Sequence, residues 1–223
     1  MDVDKLLTQE FARRDAYKGL SDCYKLPEEE LINTLEWLER VFETLGSEAR
    51  SHIALVRSEI KGREDVDDLK VDYARLFVGP YNLLAPPYGS VYLEGERKVM
   101  GDSTMDIQKR YAEVGLTTAE FFKEIPDHIR AELEFMYFLI FKEIEAIQEG
   151  SFENVSGFLL KQRSFLQDHL AIWVKGLAQN IEVHSQKNFY RGVAMATRIF
   201  ISEDFSEIAE LDISEPTAAV SLG

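Results

Sequence analysis

The chain has a single cysteine, Cys23. That excludes an intramolecular disulfide, a CxxC redox pair and a cysteine-rich zinc site. It fits a reducing cytoplasm, where thiols stay free. Long apolar runs are also missing: the most apolar stretch, Phe135 to Phe141, is too short to cross a bilayer, so no stable membrane insertion is expected. The opening residues, MDVDKLLTQEFARRDAYKG, carry acids early and no apolar segment, unlike a secretory signal. Arg13 and Arg14 are followed by Asp15 rather than an apolar run, and read as solvated helix residues. The phosphate-cradling GxxxxGK[ST] and GxGxxG loops, the HExxH pair and the GxSxG elbow are all absent. Ser90 lies between Gly89 and Val91 in a loop, not at a strand-to-helix turn, so it does not read as a nucleophile. Positive charge is scarce, with 25 Lys and Arg against 40 Asp and Glu and a net charge of −15. Such a surface repels nucleic acid and attracts basic ligands, including Arg-bearing peptides; it also serves solubility alone.

What is present is helical periodicity. The 223 residues, 45% hydrophobic and 29% charged, suffice for a sizeable core. A first helix is expected from about Val3 to Tyr24. Pro27 and Glu28 to Glu30 suit the first turn of a second, with Leu31, Leu35, Leu38 and Phe42 as its stripe. Ile53, Val56 and Ile60 mark a third, ending at Gly62. Leu69, Tyr73, Leu76 and Phe77 mark a fourth over 65–78, stopped by Gly79-Pro80. From Pro80 to Gly101 the period fails. Pro86-Pro87, three glycines (Gly89, Gly95, Gly101) and Tyr81, Tyr88 and Tyr92 predict an irregular loop acting as an internal hinge, with at most a short ribbon at 91–93 and 99–100. Ser103 to Asp106 resembles a capping box, and Thr117 to Glu120 opens another short helix. Pro126-Asp127 begins the most apolar helix, closed by Gly150. A long helix over 152–184 is expected to break near Gly176, and a last one covers 188–211. The fold class is all-α: one domain over 1–211 and an acidic tail, 212–223, that frays.

Two segments carry competing readings. At Asp127-His128, Asp127 caps a helix while His128 packs or faces water. Alternatively the two are a polar pair at a pocket rim, with the Asp raising the His pKa. The stretch Asp72 to Gly101 is either a buried aromatic helix end with a structural Pro-rich turn, or a groove. Its aromatics would then hold a peptide, and acidic rim groups would fork onto Arg guanidinium. His128 and Glu132 share a helical face, but no repeated Glu-x-x-His supports a metal centre.

DYARLFVGPYNLLAPPYGSVYLEGERKVMGDST (Asp72 to Thr104) and PDHIRAELEFM (Pro126 to Met136) resemble, in order and spacing, the TorD/DmsD family of redox-enzyme maturation chaperones, and its DmsD members most closely. The segments cover about a fifth of the chain. The resemblance implies an all-α domain of roughly ten or more helices, no cofactor and no catalysis. It implies a cytoplasmic chaperone that binds the twin-arginine leader and apo-form of a molybdenum-cofactor oxidoreductase subunit, delaying Tat export until cofactor insertion, with the Tat or cofactor-insertion machinery as further partners. Residues matching the family's leader-binding positions are Tyr73, Leu76, Phe77, Tyr81, Pro87, Tyr88, Asp127 and His128; Gly79, Pro80, Pro86 and Gly101 match structural positions, Gly101 through backbone geometry. The chain departs from DmsD-like members in having Tyr at 73, 81 and 88 where they carry Trp, which bears on leader preference. Two alternatives stand beside this: an assembly chaperone for a cytoplasmic nitrate reductase-like enzyme that binds a folded surface, and a metal- or nucleotide-dependent enzyme.

Overall fold

The structure is a computed structural model and describes residues 3–60, 63–79, 83–94, 99–116 and 125–213. The expected stripes become the core. Leu35, Leu38, Phe42, Ile53, Leu76, Ile129, Leu133, Met136, Ile140, Leu170, Trp173 and Leu177 are all buried, in one apolar cluster. The elements are α1 (Val3–Cys23), α2 (Leu31–Leu45), α3 (Ala49–Glu59), α4 (Arg63–Tyr73), α5 (Gly89–Leu93), α6 (Asp102–Glu113), α7 (Ile129–Glu149), α8 (Phe152–Phe165), α9 (Ala171–His184) and α10 (Asn188–Glu210). π-helical turns extend α4 over Ala74–Val78 and join α8 to α9 over Leu166–Leu170. Apart from one isolated bridge, the described residues contain no β-structure. α1 packs on α2 and α7, α7 also on α8, and α10 on α3 and α9.

Several local expectations are corrected. Pro27 and Glu28 to Glu30 precede α2 as a turn, Leu31 N donating to Glu28 O (3.0 Å), rather than forming its first turn. α3 stops at Glu59, short of Gly62, which lies outside the described residues with Thr117 to Glu120 and 214–223. The 91–93 ribbon is instead the short helix α5. The long helix breaks at the π-turn over Leu166–Leu170, not at Gly176. Gly176 is helical, and its missing side chain makes room for Tyr92: a Cβ there would sit 2.7 Å from that ring. Ser103 does not cap α6. Its amide (2.9 Å) and hydroxyl (2.5 Å) both donate to Glu94, so the carboxylate at the end of α5 satisfies the free N–H instead. Gly101 has an ordinary φ of −99°, so its role is space: a Cβ would collide with the Glu94 carboxyl, at 1.6 Å.

Arg13 is buried rather than solvated. It ion-pairs with Asp204 and Glu10 (2.5 Å), bonds the Gln162 amide and lies 3.6 Å from Glu143. Burial opposes its charge, but these carboxylates outweigh burial and hold its pKa above normal.

Candidate functional site

The two resemblance segments meet. Pro86 and Pro87 have no N–H and disfavour helix, so the chain here runs extended. Ala85 N donates to Leu76 O (3.0 Å), pinning it to the first π-turn. Next, Tyr88 and His128 form an antiparallel bridge: Gly89 N donates to Asp127 O and Ile129 N to Pro87 O, both at 2.8 Å. Residues 87–90 thus lie as a strap across the start of α7. Tyr88 is half-buried, its ring edge-on to the His128 imidazole with centroids 5.4 Å apart.

The polar pair is inside rather than at a rim. Asp127 is fully buried, and its Oδ2 accepts from Ser90 N (2.8 Å). The helix cap is His128, whose Nδ1 accepts from Arg130 N (3.1 Å). That interaction requires a neutral Nδ1. Burial, with help from Arg130, lowers the His128 pKa to about 4, the opposite of the upward shift that the pocket-rim reading carried.

Beneath the strap lies a pair that the sequence motifs did not flag. Both oxygens of Glu132, fully buried, accept from Trp173 Nε1 of α9 (3.1 and 2.9 Å). Burial, then repulsion from Asp127, pushes the Glu132 pKa well above normal despite the indole bond. Gly89 lies directly over the pair: a Cβ there would be 2.9 Å from Glu132 Oε1 and 3.0 Å from Trp173 Nε1. Tyr92 stacks on Trp173 (5.7 Å, 20° between planes) and its hydroxyl accepts from Asn180 (3.1 Å). Glu132 sits in the second resemblance segment, inside the most apolar helix, but nothing in either segment points to Trp173. No group of three or more His, Cys, Asp and Glu able to hold a metal occurs among the described residues.

The other predicted residues form a second cluster. Half-buried Tyr73 meets Phe77 edge-on (5.2 Å), and Phe77 meets Tyr190 (5.6 Å) and Tyr24 (6.3 Å). Leu76 and Phe77 belong to the core, so neither offers an open wall. Gly79 ends the turn at φ +48°, a value that favours glycine. Asp72 anchors the helix by accepting from Ser185 Oγ (2.6 Å), Gln186 N (3.0 Å) and Lys187 N (3.2 Å). The structure therefore brings Pro87, Tyr88, Asp127 and His128 into one contact group and ties it through Ala85 to the cluster of Tyr73, Leu76 and Phe77. Pro80 and Tyr81 lie outside the described residues.

The family model described as "Nitrate reductase delta subunit" matches residues 39–179, which contain Tyr73, Leu76 and Phe77, the strap, Asp127-His128, Glu132 and Trp173. The chain belongs to the TorD/DmsD family of redox-enzyme maturation chaperones. Among its relatives, the chaperone protein TorD of Aliivibrio salmonicida is 27% identical over 206 residues, 88% of this chain and 94% of that one. TorD of Vibrio parahaemolyticus is 29% identical over 149 residues, 66% of this chain and 67% of the relative. The Tat proofreading chaperone DmsD of Salmonella typhi is 39% identical over 67 residues, 30% of this chain and 33% of that protein. The solved structure of a redox enzyme maturation protein from Archaeoglobus fulgidus superposes with a TM-score of 0.55 at 22% identity, covering 85% of this chain and 93% of that one, and so shares the fold. Family members are named as chaperones, and no helix among the described residues is long and apolar enough to cross a membrane.

Proposed function

We propose that this chain is a molybdoenzyme maturation chaperone, without catalysis of its own, that binds the twin-arginine leader of its client in the cytoplasm and holds it from the Tat machinery until the cofactor is in place. The observation that carries this is the strap. Family-matching residues from two distant segments, Pro87-Tyr88 and Asp127-His128, are locked together by two backbone hydrogen bonds, and Tyr88 remains half-exposed. Tyr73 and Tyr88 would contact the apolar part of the leader. Leu76, Phe77 and Pro87 form the floor beneath them, and Asp127 and His128 hold the strap in register. Tyr81, the eighth leader-binding position carried over from the family, stays in the proposal on resemblance alone. Val99, Met100 and Met105, exposed where α5 meets α6, add adaptable apolar surface. Burial of leader side chains would supply most of the affinity, about 25 cal/mol per Å² of apolar surface before ordering costs. Tyr88→Ala should weaken binding of a synthetic leader peptide roughly tenfold in titration calorimetry, with the thermal midpoint nearly unchanged; parental affinity in the variant would refute the assignment.

A second reading is favoured by the nitrate reductase delta subunit description and by a relative, 24% identical over 140 residues, named as a perchlorate reductase assembly chaperone of Dechloromonas aromatica. In it the client is held through a folded surface. Binding of the leaderless subunit with the affinity of the full-length one would favour this reading.

A further inference from the structure

The floor under the strap holds more hydrogen-bond acceptors than donors. Asp127 and Glu132 are both fully buried. Their four carboxylate oxygens share two N–H groups, Ser90 N on Asp127 Oδ2 and the Trp173 indole on Glu132. Asp127 Oδ1 is buried with no hydrogen-bond partner among the described residues, and so is the Ser90 hydroxyl beside it. Unmatched buried acceptors are costly, and what they lack is a donor-rich cation. A planar guanidinium brings five N–H groups in a fixed fork that can serve two carboxylates at once, which a compact ammonium does less well. The cover is thin. It is the strap main chain at Gly89, held by Gly89 N to Asp127 O, Ile129 N to Pro87 O and Ser90 N to Asp127 Oδ2. Its half-exposed residue is Tyr88, so a ligand that engages Tyr88 acts on the cover itself.

We infer that Glu132, with Asp127, is a buried acceptor for one guanidinium of the leader's arginine pair, closed by the strap at 87–90 until the leader lifts it. This rests on the leader-binding reading above and adds a specificity-determining residue to it. A chemical consequence follows. Burial, then repulsion from Asp127, favours the protonated form of Glu132 in the closed state. A guanidinium in contact favours the ionised carboxylate, so docking expels that proton to solvent. The groups facing Glu132 are Asp127 ahead of α7, Tyr111 of α6 and the indole of Trp173. Burial pushes the Tyr111 pKa far up and the indole does not titrate, which leaves Glu132 as the source of the proton.

Titration calorimetry of the full chain with a synthetic peptide carrying an arginine pair, near neutral pH in phosphate and in Tris, reads this directly. Release of about one proton, an affinity that rises with pH by up to roughly tenfold per unit, and much weaker binding of the citrulline-substituted peptide are expected. Glu132→Gln should abolish the buffer dependence and narrow the gap between the two peptides. Binding with no proton release, equal affinity for the citrulline peptide, or unchanged proton release in Glu132→Gln would overturn the inference while leaving leader binding intact. No binding of the arginine peptide at all would overturn both. Should Glu132→Gln fail to fold, the two-buffer, two-peptide comparison on the parent protein still decides.

Discussion

At the scale of single residues, His128 joins helix capping to the pH dependence of folding. Its ring must be neutral to accept from Arg130 N, and burial lowers its pKa from 6.5 to about 4. The unfolded chain therefore takes up this proton first as pH falls. The stabilisation is complete above pH 6.5 and is lost between 6.5 and 4, on the order of 3 kcal/mol in all. Glu132 works the other way: its raised pKa favours the folded state below its ordinary 4.5 and loses that contribution as pH rises. The His128 effect is thus isolated by difference. His128→Asn keeps a capping oxygen but cannot titrate. Chemical denaturation from pH 4 to 7 should show a flatter acid limb for the variant than for the parent; parallel profiles would mean that the imidazole titrates alike in the folded and unfolded chain.

At the scale of elements, the start of α6 depends on a residue from its neighbour. Glu94 takes both the amide and the hydroxyl of Ser103, the work that a capping box within the helix would have done. Glu94→Ala should cost about 1 kcal/mol and fray the first turn of α6, seen as faster amide exchange at 103–105 with the core unaffected; unchanged exchange would show that α6 caps itself. The capping-box expectation failed because the Ser-x-x-Asp spacing was present but both groups found partners outside the box: Glu94 takes Ser103, while Asp106 is taken by His169 (2.7 Å) and Arg110 (2.7 Å). The break in the long helix was misplaced for a like reason. Gly176 has low helix propensity, yet its bare surface is what Tyr92 packs against, whereas the π-turn at Leu166–Leu170 carries no glycine or proline to announce it.

At the scale of the whole molecule, Arg13 joins four helices. Beyond its own α1 it reaches Asp204 of α10 and Gln162 of α8 and approaches Glu143 of α7; Tyr17 adds a bond to Asp204 (2.6 Å), and Gln162 one to Glu143 (2.7 Å). Removing the cation strands buried carboxylates. Arg13→Met should cost about 3–5 kcal/mol in denaturant unfolding; a loss under 1 kcal/mol would mean that the carboxylates are neutralised by protons instead. The net charge of −15 acts over the same scale. Leader binding should weaken several-fold between roughly 0.05 and 0.5 M salt, with a smaller change for a peptide lacking arginines; a flat response would remove charge steering from the account.

Much of this protein was legible in the sequence because the evidence is local. The stripe Leu31, Leu35, Leu38 and Phe42 and the apolar face from Ile129 to Ile144 need only the period of a helix to be recognised, and they are buried as expected. The motif spacing from Asp72 to Thr104 and Pro126 to Met136 carried the family. Partners distant in the chain were decided by the tertiary structure alone: Glu132 with Trp173, Tyr88 with His128, Arg13 with Asp204. A carboxylate, an imidazole or a guanidinium has the same sequence signature whether it faces water or another helix. Its burial, charge state and partner are set only when the elements pack.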